Sequence, residues 1–476
     1  MGKISYDAVV VGAGPNGLAA AIRLAQEGLS VLVMEANETI GGSTRSAELT
    51  LPRFVHDVCS AVHPLGLGSP FFRRLPLEKY GLKWIHAEIP LAHPLDNGGA
   101  ATLKRSVVET AEGLGEDRRA YERLMSPLVT NWEILATEFL QPVLHRPRHP
   151  LQLAQFGVLG MCSATGLARN RFAGESASAL FGGLAAHSFL RLEESFSAAF
   201  GLVLGMMGHA VGWPIPSGGS QSIANALAAC LRSLGGEIVT KAAVVELEQL
   251  PLARAILLDV TPRQLLQIAG GKLPASYRSR LQSYRYGPGV FKVDFALSTP
   301  IPWKAGVCRR AGTIHLGGTL KEIAQAEREV AAGKEAERPF VLLAQPSLFD
   351  PTRAPVGNHT AWAYCHVPNG SRVDMTEKIE NQIERFAPGF RKCILARHSM
   401  DCSKLESKNA NLVGGDINGG AADWRQLLSR PLLSAAPYRT PMPGLYLCSS
   451  STPPGGGVHG MCGFHAAETA LRDCFR

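Results

Sequence analysis

Gly12, Gly14 and Gly17 stand at the spacing G-x-G-x-x-G, and Glu35 follows eighteen residues after Gly17. Glycines at these positions allow a tight turn, a close approach of backbone to pyrophosphate, and close packing of a helix on a strand. N–H donors at the start of the helix then face phosphate, and the carboxylate accepts hydrogen bonds from ribose hydroxyls. That chemistry is dinucleotide binding, with Pro15, Asn16 and Ala36 filling out the site. Ile40-Gly41-Gly42-Ser43-Thr44-Arg45 comes next. A Gly-Gly pair opens the backbone where an extended FAD passes, and Arg45 supplies a cation for the pyrophosphate or the flavin ring. An NAD-only domain has no need of this segment, so FAD is the expected cofactor.

These residues need elements to hold them. The β-branched run 8–11 predicts a strand, and Leu18, Ala21, Ile22 and Ala25 recur on one helical face before Gly28. A second strand over 30–34 delivers Glu35. At the far end, a strand over 445–448 enters a Ser/Pro/Gly-rich turn and then a helix over about 459–474. Glycines 455–457 leave room for a flat ring. The helix start near Gly460 would aim its dipole at the flavin edge, with Ser450, Gly456, Gly457, Val458 and His459 around the ring. Between the two ends, 214–220 precedes a predicted helix over 221–234, a strand over 237–239 and another over 244–247. Backbone at Val244 or Val245 would meet the adenine. The expected fold is α/β: a three-layer Rossmann-like FAD-binding domain from 1–95, 211–260 and 437–476. A discontinuous α+β substrate-binding domain with a helical block takes 96–210 and 261–436.

A flavin takes hydride from a C–H held about 3–3.5 Å away, and a base or water takes any proton. His459 and His56 are the catalytic candidates, with His56 beside Asp57 and seven residues before His63. His187 and His209 lie in an apolar helical stretch and read as core histidines. No HExxH spacing occurs among the 14 histidines, and no G-x-S-x-G elbow is present. No second dinucleotide fingerprint follows, which points to oxygen or a quinone as electron acceptor. Phe181, Leu184, Phe189, Leu192, Phe196, Phe200, Met206 and Met207 recur at roughly helical spacing and read first as core, second as the wall of a site for a small hydrophobic substrate. Residues 321–338 form a charged helical pattern that reads as a solvated face.

Composition narrows the classes. A chain of 476 residues with 46% apolar and 18% charged residues supports large cores and excludes global disorder. The net charge of +8 is spread without a Lys/Arg block or zinc-finger spacing, so nucleic acid is not an expected partner. Ten cysteines without a C-x-x-C pair read as reduced thiols in a cytosolic setting. The N-terminus does not read as a signal peptide. The apolar stretch 195–213 carries three glycines and suits a buried or lipid-touching helix better than a span. The expectation is a cytoplasmic protein with room for peripheral membrane contact; its oligomeric state is not readable.

The motifs VVVGAGPNGLAAA, EANETIGGSTR, FVHDVCSAVHPLGLGSPFF, GWPIPSGGSQSIANAL, NLVGGDINGG and GLYLCSSSTPPGGGVHGMCG span nearly the whole chain. In them the chain resembles the phytoene desaturase-like FAD-dependent oxidoreductases, within the glutathione-reductase-type flavoproteins that include amine oxidases. In particular it resembles bacterial relatives of pyridine nucleotide-disulfide oxidoreductase domain-containing protein 2. The resemblance implies FAD at Gly12, Gly14, Gly17, Glu35, Arg45, Val244 and the 455–463 loop. It also implies a second domain that walls a hydrophobic channel over the flavin. The implied activity is dehydrogenation or desaturation of a hydrophobic, polyene-like C–C or C–N bond. A redox-neutral flavin-dependent isomerase and a flavin-fold binding protein without turnover are the alternatives. Two departures stand out. Ser449-Ser450 occupy the place where many relatives carry Gly-Asp, and the hairpin expected after the adenine strand is trimmed to 246–262.

Overall fold

Two sheets organise the chain, each assembled from distant segments. The structure is a computed structural model that describes residues 5–142 and 144–476. The first sheet has five strands in the order Leu445–Leu447, Leu252–Leu258, Ser5–Val11, Val31–Met34 and Glu237–Val239. All four pairings are parallel, with Ala8 opposite both Val31 and Ala255. Parallel strands are covered on both faces, which is why the interior runs 8–11, Val31–Met34 and 255–258 are continuously apolar rather than alternating. On one face Ala8, Val10 and Leu257 pack with Leu18 and Ile22 of helix Pro15–Ala25, Leu227 of helix Gln221–Ser233 and Ala466 of helix Met461–Cys474. On the other, Val9, Val11 and Leu258 meet Leu265 and Ile268 of helix Pro262–Ala269 and Leu281 of helix Ala275–Gln282. The result is a three-layer Rossmann-like domain.

The strand expected over 244–247 does not form. The Gln249 side chain takes the N–H groups of Val245 and Glu246 and folds this stretch into a short turn, Leu247–Gln249. The strand lies just downstream, Leu252–Leu258, and is interior to the sheet, between Leu445–Leu447 and Ser5–Val11. Its run AILL is apolar on both faces, as a central parallel strand requires.

The second sheet has seven strands in the order Ile394–Met400, Gly289–Leu297, His359–Val367, Val341–Ala344, Ala311–Leu316, Ile89–Pro94 and Ala100–Leu103. Pairings are antiparallel except that of Ala311–Leu316 with Ile89–Pro94. Ile89–Pro94 therefore belongs to the second sheet, although the boundary at 95 assigned it to the first domain. Along Gly289–Leu297 the two-residue period sends Phe291, Val293 and Phe295 into a core with Ile379, Ile383 and Phe386. Val290, Lys292 and Asp294 point the other way.

Between 107 and 210 lies a helical block. Helix Ser197–Ala210 is held in it by close contact: a Cβ at Gly208 would come within 2.4 Å of Leu103, and one at Gly201 within 2.9 Å of Phe181. Phe181, Leu184, Leu192, Met206 and Met207 are buried together in this core. Burial of each such side chain contributes about 1.5–3 kcal/mol. Among the described residues no single helix is long and apolar enough to cross a membrane. The ten cysteines are unpaired thiols.

Candidate functional site

Strand Ser5–Val11 ends at Gly12, whose φ of +103° is a conformation that side chains disfavour. The chain then turns through Gly14 into helix Pro15–Ala25, with proline in its first turn. Gly17 sits so close beneath this turn that a Cβ would lie 2.0 Å from the Gly12 carbonyl oxygen. The strand Val31–Met34 delivers Glu35, which is buried. Its Oε2 accepts from the Ala13 N–H at 2.9 Å, and its Oε1 accepts from the Asn37 N–H at 2.9 Å and from Asn37 Nδ2 at 2.8 Å. Glu35 thus fixes the turn as well as facing the cavity, with lone pairs left over for a ligand.

That cavity has a volume of about 720 Å³. Its nucleotide end is lined by Gly12, Gly14, Pro15, Asn16, Glu35, Ala36, Gly42, Ser43, Val244 and Ser450, with Gly457 and Val458 further along. It continues past His63 and Leu65 into a chamber walled by Leu204, Trp213, Val290, Lys292, Trp362 and Tyr364. Both sheets and the helical block therefore share one continuous space.

Several expected residues stand outside the lining. Gly17 packs under the turn, as its spacing implies. Gly41, at φ +117°, donates its N–H to the Ala13 carbonyl and shapes the loop. Gly456 packs on Asn418, 3.0 Å from a built Cβ. Arg45 stands outside the cavity lining: its guanidinium donates through Nε to the Gly42 carbonyl at 3.0 Å and through Nη2 to the Lys408 carbonyl, so two of its donors are held by backbone. His459 is also removed from the cavity. Its buried Nδ1 accepts the Met461 N–H at 3.0 Å at the start of the last helix, and burial lowers its pKa to about 4. His56 lies under the second sheet, with Nε2 at 2.8 Å from Thr50 Oγ1 and Nδ1 3.6 Å from Asp294 Oδ1. Neither histidine lines the cavity.

The rings that do face it are others. His63 holds Nε2 at 2.8 Å from Ser220 Oγ and leaves Nδ1 without a partner; burial lowers its pKa to about 4. His187, read from sequence as core, lines the chamber and stacks its Nε2 3.1 Å from His315 Nε2. Both are neutral imidazoles at physiological pH.

Three features had no counterpart in the sequence expectations. Asn409 donates to Ser43 Oγ at 2.9 Å, and Asn411 donates to the Asp259 carbonyl at 2.8 Å; both line the cavity. Lys292 and Asp294 form a buried ion pair, and Lys292 reaches the chamber wall. The signal was present: a lysine and an aspartate two apart in an otherwise apolar strand, GVFKVDFAL, share one face. Asp259 ends the central strand Leu252–Leu258 and accepts the Gly17 N–H at 3.0 Å through Oδ2. A carboxylate at the carboxyl end of a parallel strand, beside the turn, is where such folds place ligand-facing groups.

Burial pushes Asp259 up to about 7, opposed by the Gly17 N–H and reinforced by the charge of Glu35. Because its folded pKa is raised, its stabilising protonation is complete below the unfolded value of about 3.9 and is lost as pH rises through about 7. Over that window this group removes about 1.4 kcal/mol of stability per pH unit. Asp259→Asn keeps an acceptor for Gly17 and removes the titration. Thermal melts of nucleotide-free protein between about pH 5 and about pH 8 are expected to show a steeper loss for the wild type than for the variant. Parallel curves would mean that Asp259 titrates as an ordinary carboxyl.

Residues 10–75 match the family model of the NAD(P)-binding Rossmann-like domain. Over 99% of its length the chain is 27% identical to pyridine nucleotide-disulfide oxidoreductase domain-containing protein 2 of Mus musculus, covering 94% of that protein. An oxidoreductase from Methanosarcina mazei superposes with a TM-score of 0.66 at 17% identity, over 98% of this chain and 100% of the other. Cyclohexylamine oxidase from Brevibacterium oxydans superposes with a TM-score of 0.60 at 17% identity, over 99% and 100%. The chain has the fold of these oxidoreductases from end to end. It carries a dinucleotide-binding Rossmann domain, joined to a second domain in the arrangement of these two solved structures.

Proposed function

We propose that the protein is an FAD-dependent oxidoreductase that dehydrogenates a small hydrophobic substrate. The observation that carries this reading is the single cavity that joins the dinucleotide turn to an apolar chamber between the two sheets. The polar end fits the cofactor. Asn16 Oδ1 and Asn411 Oδ1 are buried acceptors without a donor, which suits the hydroxyl groups of a ribose and a ribityl chain. Gly42 approaches so near that its Cβ would lie 3.3 Å from Gly14 Cα, leaving backbone where a side chain would block a flat ligand.

Bound FAD would supply the electron sink for a hydride leaving a substrate C–H. The backbone of Gly12–Asn16, Glu35, Ser43, Val244 and Ser450 would hold it. Arg430 keeps the far wall in place: it donates to the carbonyls of Asn418, Ser450, Gly420 and Ala421 and so locks the loop that carries Ser450. Leu204, Trp213, Val290 and Trp362 exclude water from the chamber and favour an apolar substrate. Lys292 Nζ, neutralised by Asp294, is the charged group on that chamber wall. Its N–H groups can donate to a polar atom of the substrate, and the neutral rings of His63 and His187 line the same cavity. Oxygen or a quinone would take the electrons.

The test is reconstitution with FAD, NAD and NADP in parallel, followed by desalting and absorption spectroscopy. Retention of FAD alone is expected, with anaerobic bleaching when a substrate is supplied. Retention of a nicotinamide nucleotide in its place would overturn the reading.

A further inference from the structure

Between Glu138 and Glu175 the chain has no acidic residue, yet it carries Arg146, Arg148, Arg169 and Arg171. Helix Pro150–Gly160 crosses this stretch and turns by 94° into helix Ala164–Arg171. The first helix buries one side only: Phe156 lies against Phe139 at 4.3 Å between ring centres, and Gly160 is covered. Its opposite side is uncovered and mostly apolar, with Leu151, Ala154 and Val158 exposed beside Gln155. Leu151 is 64% exposed and Val158 66%, two turns apart on one face, with Leu144 and Met161 exposed at 53% each at its two ends. In a protein whose other apolar helices are buried, such a row needs an occupant.

We propose that this face docks the protein on an anionic lipid bilayer. The charge distribution selects that occupant. Arg146 and Arg148 are exposed just before the helix, and Arg123 and Arg171 flank the groove beside Gln152 and Leu159. Arginines around an apolar row match the interfacial arrangement in which side chains enter the acyl boundary and cations meet phosphate. A second copy of the chain would bring the same arginines face to face across a two-fold axis, with no carboxylate in the stretch to neutralise them. An 11-residue helix is about 16 Å long, so it lies in the interface and does not cross it. The face is distinct from the stretch 195–213, whose helix is packed inside the block. This inference stands independently of the cofactor assignment.

Co-sedimentation with vesicles tests it on the full chain. Vesicles of phosphatidylglycerol mixed with phosphatidylcholine are expected to carry the protein down, and pure phosphatidylcholine vesicles are not. Raised salt should release it, because exposed charges are screened within about 10 Å at 0.1 M. Arg146→Glu with Arg148→Glu should lower the partition coefficient by roughly fivefold or more per arginine. Leu151→Asp with Val158→Asp should abolish binding while circular dichroism and melting temperature stay unchanged, since both positions are exposed. Failure of the wild type to bind the anionic vesicles would overturn the proposal, as would binding that neither variant weakens. So would a dimer, seen by light scattering, that Leu151→Asp with Val158→Asp dissolves in the absence of vesicle binding.

Discussion

Gly14→Val is expected to yield a folded protein that retains no flavin after reconstitution. Gly14 caps helix Pro15–Ala25 with φ −73° and ψ 173°, an extended conformation open to valine. Its backbone is therefore not the obstacle. A Cβ there would lie 3.0 Å from Asp259 Oδ2, and the branched side chain would occupy the cavity lined by Gly12, Gly14 and Pro15. Filling the place of a pyrophosphate should weaken nucleotide binding by at least about 100-fold, or about 2.7 kcal/mol. The melting temperature of the nucleotide-free protein should change little. Gly17→Val is the contrasting control: its Cβ would strike the Gly12 carbonyl oxygen at 2.0 Å, so the domain itself should fail to form. Absorption spectra with mass spectrometry of the released ligand, read beside thermal melts, separate the two. A Gly14→Val protein with a full flavin complement would place the cofactor elsewhere.

The second large effect is expected at Lys292. This side chain is 1% exposed and Asp294 is 0% exposed, so each ion is the other's charged partner in place of water. Lys292→Met leaves the Asp294 carboxylate buried, facing the Nδ1 atoms of His56 and His398 at 3.6 Å each. Loss of one member of a buried pair costs about 3–5 kcal/mol. Replacement of both by apolar residues of similar size removes the orphaned charge along with its partner. Lys292→Met with Asp294→Leu should therefore recover most of the loss, returning to within about 2 kcal/mol of the wild type. Urea denaturation of both single variants and the double variant measures the coupling. Additive losses would show that the two groups do not depend on each other.

What could be read locally and what could not divide along physical lines. The Rossmann turn was legible because each of its constraints acts over a few residues. Gly12 answers a positive φ, Gly17 a close approach, and Glu35 a position one strand away. The strand at 244–247 was misplaced because a β-branched run carries no information about its partner, and the Gln249 side chain took the N–H groups a ladder would have used. His459 was drawn toward the ring by its neighbours in GGGVHG, whereas the imidazole turns inward to accept the Met461 N–H. The charge of Arg45 suits pyrophosphate or the flavin ring, but the carbonyls of Gly42 and Lys408 compete for its donors.

Sequence alone determined the nucleotide turn, the apolar strands that must be covered on both faces, and the separation of the first domain into distant segments. Tertiary structure alone decided which side chains share the cavity. His63, His187, Asp259, Lys292 and Asn411 come from widely separated parts of the chain, and nothing in their local periods links them. They meet because strands from distant segments alternate between two sheets, and the space left between those sheets is a property of their packing.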